Sequence, residues 1–244
     1  MKLCTHILKR LLVLTCCSVA LAANAQLARP KTAEEFECGT MVVAKRVEPM
    51  DYRTDRKLLA TVEGGHYQQQ VEDLIKPMFE SFGADLDYTL HAYPNHHRAL
   101  LTLIRLGERE RTDQPFQSRY TIDCYLRRAI RWRSDDLIAR MIYAQYLIKK
   151  NRLQEARSQL SYVSTKAGDN PFTHFNLGLS YFDMKAYDQA LEQAHLAAAL
   201  GMENEKLKNK LMEVGQWREP VAVPDAAASA ASAPAEGSAS AASR

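Results

Sequence analysis

From residue 137 onward, two consecutive stretches of 34 residues, 137–170 and 171–204, carry one pattern of small and large apolar side chains. Ala144 recurs as Gly178, Leu147 as Tyr181, Ala156 as Ala190 and Leu160 as Ala194. Small residues let two antiparallel helices approach closely, and large ones fill the space between them. A chain with this repeat is thereby directed to an all-α array of helical hairpins. The pattern is a packing rule and carries no catalytic information.

Turn and cap chemistry sets the predicted helices at 135–149, 152–166, 171–184 and 186–200. Ser134 and Asn170 suit N-caps, Pro171 suits a first helical position, and Asn151, Gly168 and Gly201 suit left-handed stops. Aligning Ala129 with Val163 and Ala197 places a third, degenerate copy over 92–136. Its helices are expected at 96–106, with Asn95 as N-cap and Gly107 as stop, and at 118–131. Ala99 and Ile122 are 23 residues apart, where Ala144 and Ala156 are 12 apart, so an insertion of 11 residues over 107–117 separates this copy's helices. Such insertions map to one rim of an array, where they either touch a ligand or stand in solvent. Residues 205–218, apolar at Leu207, Leu211 and Val214, read as a terminal capping helix with a polar outer face.

The N-terminal extension, 26–91, is loop-rich. A short helix is expected near 53–62. Val71, Leu74, Ile75, Met78, Phe79 and Phe82 then fall at helical spacing, although Pro77 requires a kink or a fresh start. Gly83 is the expected end of that helix, and 84–93 is expected to be a loop.

Residues 1–25 have the form of an export signal: Lys2, Lys9 and Arg10, an apolar run from Leu11 to Ala22, then Ala23-Asn24-Ala25. Cleavage after Ala25 implies a periplasmic or secreted protein with no remaining membrane span. It removes three of the 32 basic residues and none of the 29 acidic ones, leaving 29 of each. A balanced chain lacks the concentrated positive field that nucleic acid requires. Cys38 and Cys124 are the two cysteines left; an oxidising compartment favours a disulfide between them over two buried thiols. From about residue 219 the chain is mostly Ala, Ser and Pro, too poor in apolar residues to offset its ordering entropy, and a disordered tail is expected.

Residues 137–204 resemble the tetratricopeptide repeat. The better copy reads His174, Leu177-Gly178, Tyr181, Ala190 and Ala194, departing from the family pattern at the first position, at a later aromatic and at the closing Pro, which is Met202 here. With the degenerate copy the resemblance covers about 92–218. It implies that the first helix of each unit lines a concave, partner-binding face. The corresponding positions are Phe172, Phe175, Leu179, Phe182 and Asp183, then Ile138, Met141, Gln145, Ile148 and Lys149, and in the first copy Tyr93, His96, Leu100, Leu103 and Ile104. This face is apolar and aromatic and suits an apolar segment of a protein partner, unless the chain's own 71–82 helix fills it. More loosely, the chain is similar to exported bacterial repeat proteins in which a Cys-Gly and an Asp-Tyr-Arg precede a segment like residues 85–100. That likeness implies architecture and compartment and no reaction.

The competing chemistry is a metal site. His91, His96 and His97 are close in sequence, with His66, Asp85 and Asp87 nearby, and imidazole with carboxylate suits zinc in a metal-dependent hydrolase. Adjacent His96 and His97, however, diverge by about 100° on a helix, and no His-Glu-x-x-His is present. No phosphate loop or nucleophile elbow occurs either, so the sequence favours a binding scaffold without cofactor over an enzyme.

Overall fold

The computed structural model describes residues 38–41, 48–202 and 205–220. Ten helices and no strand occur among the described residues: α1 Leu59–His66, α2 Gln69–Glu72, α3 Phe82–Ala92, α4 His97–Glu110, α5 Ile122–Trp132, α6 Leu137–Lys149, α7 Leu153–Lys166, α8 Pro171–Asp183, α9 Tyr187–Ala199 and α10 Glu205–Glu213. The described residues form an all-helical fold. Among the same residues no helix is long and apolar enough to cross a membrane. The predicted signal segment and the tail beyond Pro220 lie outside the described residues. Two compact units divide the chain, Met1–Ile142 and Tyr143–Arg244.

α6, which straddles the boundary between the units, and α8 begin 34 residues apart, as do α7 and α9. All eight positions of the small-and-large pattern are buried. Asn170 caps α8 by accepting the Thr173 N–H, and Pro171 opens that helix. Asn151, Gly168 and Gly201 all take positive φ, as their roles as stops require. α10 packs on α8 and α9 through buried Leu207 and Leu211. Gly178 faces the Leu207 side chain so closely that a Cβ there would overlap it. His174 is buried too, bonded to Gln193 on α9 and to the Gly168 carbonyl.

The first unit departs further from its predicted elements. The apolar spacing over 71–82 does not make one helix. α2 ends after one turn, Leu74 adopts a positive φ of 55°, and Asp85 takes the backbone N–H groups of Met78 and Phe79. Val71 goes to the core while Ile75 and Phe79 stay exposed. The predicted loop 84–93 is mostly α3, begun by Ser81, whose hydroxyl accepts the Ala84 N–H. Gly83 and Gly107 are close-packing positions and end nothing. A Cβ on Gly83 would strike the Phe116 carbonyl, and one on Gly107 would strike Ile122 and the Thr112 carbonyl. α4 therefore runs on to Glu110, and Arg111 supplies the left-handed stop.

Two predicted caps also move by a residue or more. His96, through Nδ1, caps α4 in place of Asn95, and Asp136 caps α6 in place of Ser134 by accepting from Ile138 and Ala139. Asn95 is freed for a buried network. Its amide donates to Asp51 and to Asp136, and its carbonyl oxygen accepts the Tyr52 N–H. Arg53 and Arg133 close on Asp51, and His97 bonds Asp136. The Asp-Tyr-Arg and Pro-Asn-His-His segments thus meet each other across the first unit.

A disulfide joins Cys38 to Cys124, 86 residues apart. Closing a loop of that length stabilises a fold by roughly 3–5 kcal/mol in the chain-entropy account. Beside it the buried Arg128 donates to the carbonyls of Cys38 and Thr40, and Arg131 to that of Gly39.

Candidate functional site

The first unit holds a cavity of about 400 Å³ where the repeat regularity breaks down. Its apolar lining comes from Met50, Leu58, Val62, Ala84 and Ala92, and its polar lining from Thr61, His66, Asp85, Asp87, His91, Gln117 and Arg119. Phe79 and Tyr88 also line it and remain more than half exposed, at 62% and 51%. Through Gln117 and Arg119 the residues around the inserted segment contribute to the wall. Gln117 donates to Glu80, which ties the segment to the turn before α3.

His66 is fixed on three sides. Its ring stacks between Phe79 and Tyr88, with centroids 4.6 and 3.9 Å away, and its Nδ1 lies 3.1 Å from the fully buried Asp85 carboxylate. Because Asp85 also accepts two backbone N–H groups, it is a satisfied acceptor and sets the tautomer: Nδ1 carries the proton, and neutral His66 has its lone pair on Nε2. His91 is held likewise. Its Nδ1 lies 2.7 Å from the Asp87 carbonyl and 3.3 Å from the Asp87 carboxylate. Asp87 accepts the Tyr125 hydroxyl as well and has Arg119 3.8 Å away. Burial pushes the Asp87 carboxyl up, but His91 and Tyr125 outweigh it and hold the group below its ordinary range.

The three histidines of the alternative metal reading do not converge. His91 pairs with Asp87, His96 with Glu63 and His97 with Asp136. Among the described residues there is no group of three or more His, Cys, Asp or Glu that could hold a metal ion. Burial pushes His96 down to about 3, with Arg98 adding to the effect. Glu63 alone would favour the charged ring. Nδ1, however, is already accepting the Ala99 N–H, so a second proton would break the cap of α4.

The predicted partner face is divided between exposed and core positions. Tyr93 and His96 are fully buried and Met141 nearly so, which makes them core of the first unit. Ile138 and Gln145 are exposed on α6. On α8 Phe172 is 66% exposed, while Phe175, Leu179 and Phe182 are half-buried. Phe175 lines a second cavity, about 350 Å³, with Trp217, Met202 and Leu207. Phe182 packs against Tyr187, with Lys210 over its ring.

The sequence singles out four of the cavity's polar groups, His66, His91, Asp85 and Asp87, only as members of the disfavoured metal site. Sequence reasoning missed Phe79 and Tyr88 as lining, Gln117 and Arg119 at the insertion, and Met50 and Leu58 upstream. The one local signal was Asp87 four residues before His91, a spacing at which helical side chains meet. No family model matches the sequence, no curated protein matches it, and no solved structure matches it.

Proposed function

We propose that the chain is an exported scaffold of tetratricopeptide-like helical hairpins that binds an apolar segment of a protein partner, as an accessory or assembly factor in a bacterial envelope. One observation carries this reading. In the second unit α8 leaves a large aromatic, Phe172, in water at the head of a stripe continued by the half-buried Phe175, Leu179 and Phe182. Those residues fall at i, i+3, i+7 and i+10 on α8, one face of a helix. Export is supported by the signal-like form of residues 1–25 and by the Cys38–Cys124 disulfide, a bond suited to an oxidising compartment. The competing hydrolase reading has no arrangement behind it, since its three imidazoles go to three different carboxylates.

Two measurements test the proposal. N-terminal sequencing of the exported protein is expected to start at Gln26; a chain beginning at Met1 contradicts export. Phe172→Asp is expected to reduce capture of the partner more than tenfold while thermal unfolding stays unchanged, because a charge would be buried unpaired in the contact. Undiminished capture removes α8 as the binding face.

A further inference from the structure

We propose that the cavity of the first unit binds a planar aromatic group bearing an N–H or O–H donor, a phenol or an indole, which hydrogen-bonds to His66 Nε2. The inference is independent of the partner reading, since it concerns the other unit and needs no partner protein to test.

His66 keeps one edge uncommitted. Phe79 and Tyr88 cover both ring faces and Asp85 occupies the Nδ1 edge. The side chain is nevertheless 21% exposed, and the ring's remaining edge carries Nε2. That nitrogen has no hydrogen-bond partner among the described residues. His91, its Nδ1 likewise committed to oxygen, adds a second imidazole to the same wall. With the carboxylates of Asp85 and Asp87 these rings make the wall rich in acceptors; beyond the His66 and His91 N–H groups already used, its side-chain donors are Gln117 and Arg119 near the insertion and the hydroxyls of Thr61 and Tyr88, which accept as well. A complementary ligand therefore brings a donor.

The body of that ligand follows from the rest of the lining. Met50, Leu58, Val62 and Ala92 offer apolar surface, and Phe79 and Tyr88 keep more than half of their area in water beside it. Aromatic faces left open next to a cavity are covered favourably by another flat apolar group, in offset or edge-on contact. A cavity of about 400 Å³ lies within the usual range for small-molecule sites, roughly 300–1,000 Å³. A single ring with one donor satisfies the size, the apolar floor and the lone pair together.

The test titrates the purified full mature chain, at about pH 8, with p-cresol and indole against toluene and 1-methylindole, followed by ligand-observed NMR. The paired ligands share shape and differ in the donor. On the unaltered chain p-cresol and indole are expected to bind about tenfold more tightly than their partners, the loss typical of leaving a hydrogen bond unmade. His66→Phe keeps a stacking ring between Phe79 and Tyr88 and is expected to bring each pair to within twofold. Acetyl-tyrosine amide competing as well as p-cresol identifies the ligand as a side chain of another protein; competition by the free small molecules alone identifies a soluble aromatic compound. Both results support the proposal. Equal affinity within each pair on the unaltered chain overturns it, as does the absence of saturable binding. Stoichiometric zinc that is lost in His66→Phe overturns it as well, in favour of a metal on the two imidazoles.

Discussion

At the scale of single residues, the first unit is held by buried polar groups whose partners are distant in sequence. Asn95 is the hinge of one network, since its amide is shared between two carboxylates while Tyr52 donates to its oxygen. Asn95→Ala would leave Asp51 and Asp136 short of a donor in a buried site, and we expect a loss of about 3 kcal/mol in urea unfolding. A change under 1 kcal/mol would mean that water replaces the amide. His96 gives a pH dependence of defined sign. Its folded value, about 3, lies below the ordinary value of roughly 6.5, so the unfolded chain takes the proton first. Stability from this group is complete above about pH 6.5 and falls as the pH drops towards 3, by up to about 1.4 kcal/mol per pH unit. Asp51, held low chiefly by Arg53, adds its own loss at more acid pH. Urea unfolding at several pH values between 8 and 5 is expected to show the slope, and His96→Gln to flatten it; an unchanged slope would place the titration elsewhere.

At the scale of helices, legibility followed how local the determining interactions are. In the second unit the helix ends were readable because Asn170, Pro171, Asn151, Gly168 and Gly201 act on their own neighbours. Residues 71–93 misled because tertiary contacts override periodicity there. Asp85 captures the N–H groups of Met78 and Phe79, and Phe79 stacks on His66 instead of entering a helix face. Helical spacing records only that a face exists and cannot register a carboxylate six or seven residues away competing for the same backbone. The cavity was half legible for the same reason: its ionisable residues could be named from the sequence, while the aromatic walls and the contribution of the insertion depend on long-range packing. Gly83 and Gly107 show the limit most plainly, since a glycine chosen for close approach looks like a helix stop. Gly83→Ala would force the Phe116 carbonyl away from α3. A loss of about 2 kcal/mol or more in thermal unfolding is expected, where an ordinary helix position would gain from the same change; a stabilised protein would contradict this packing.

At the scale of the whole molecule, the chain forms two compact units. One carries α7 to α10 with Phe172 exposed at the head of an apolar stripe on α8, the other a cross-linked, polar-networked core around a cavity. The proposed partner surface and the proposed ligand cavity thus fall on different units. The central claim is that α8 meets a partner, and site-specific photo-crosslinking in the native cell tests it most directly. A photoreactive residue at Phe172 is compared with one at Glu192, exposed on α9. The account predicts one defined protein crosslinked from position 172 and none from 192. No adduct from 172, or the same adducts from both positions, would contradict it.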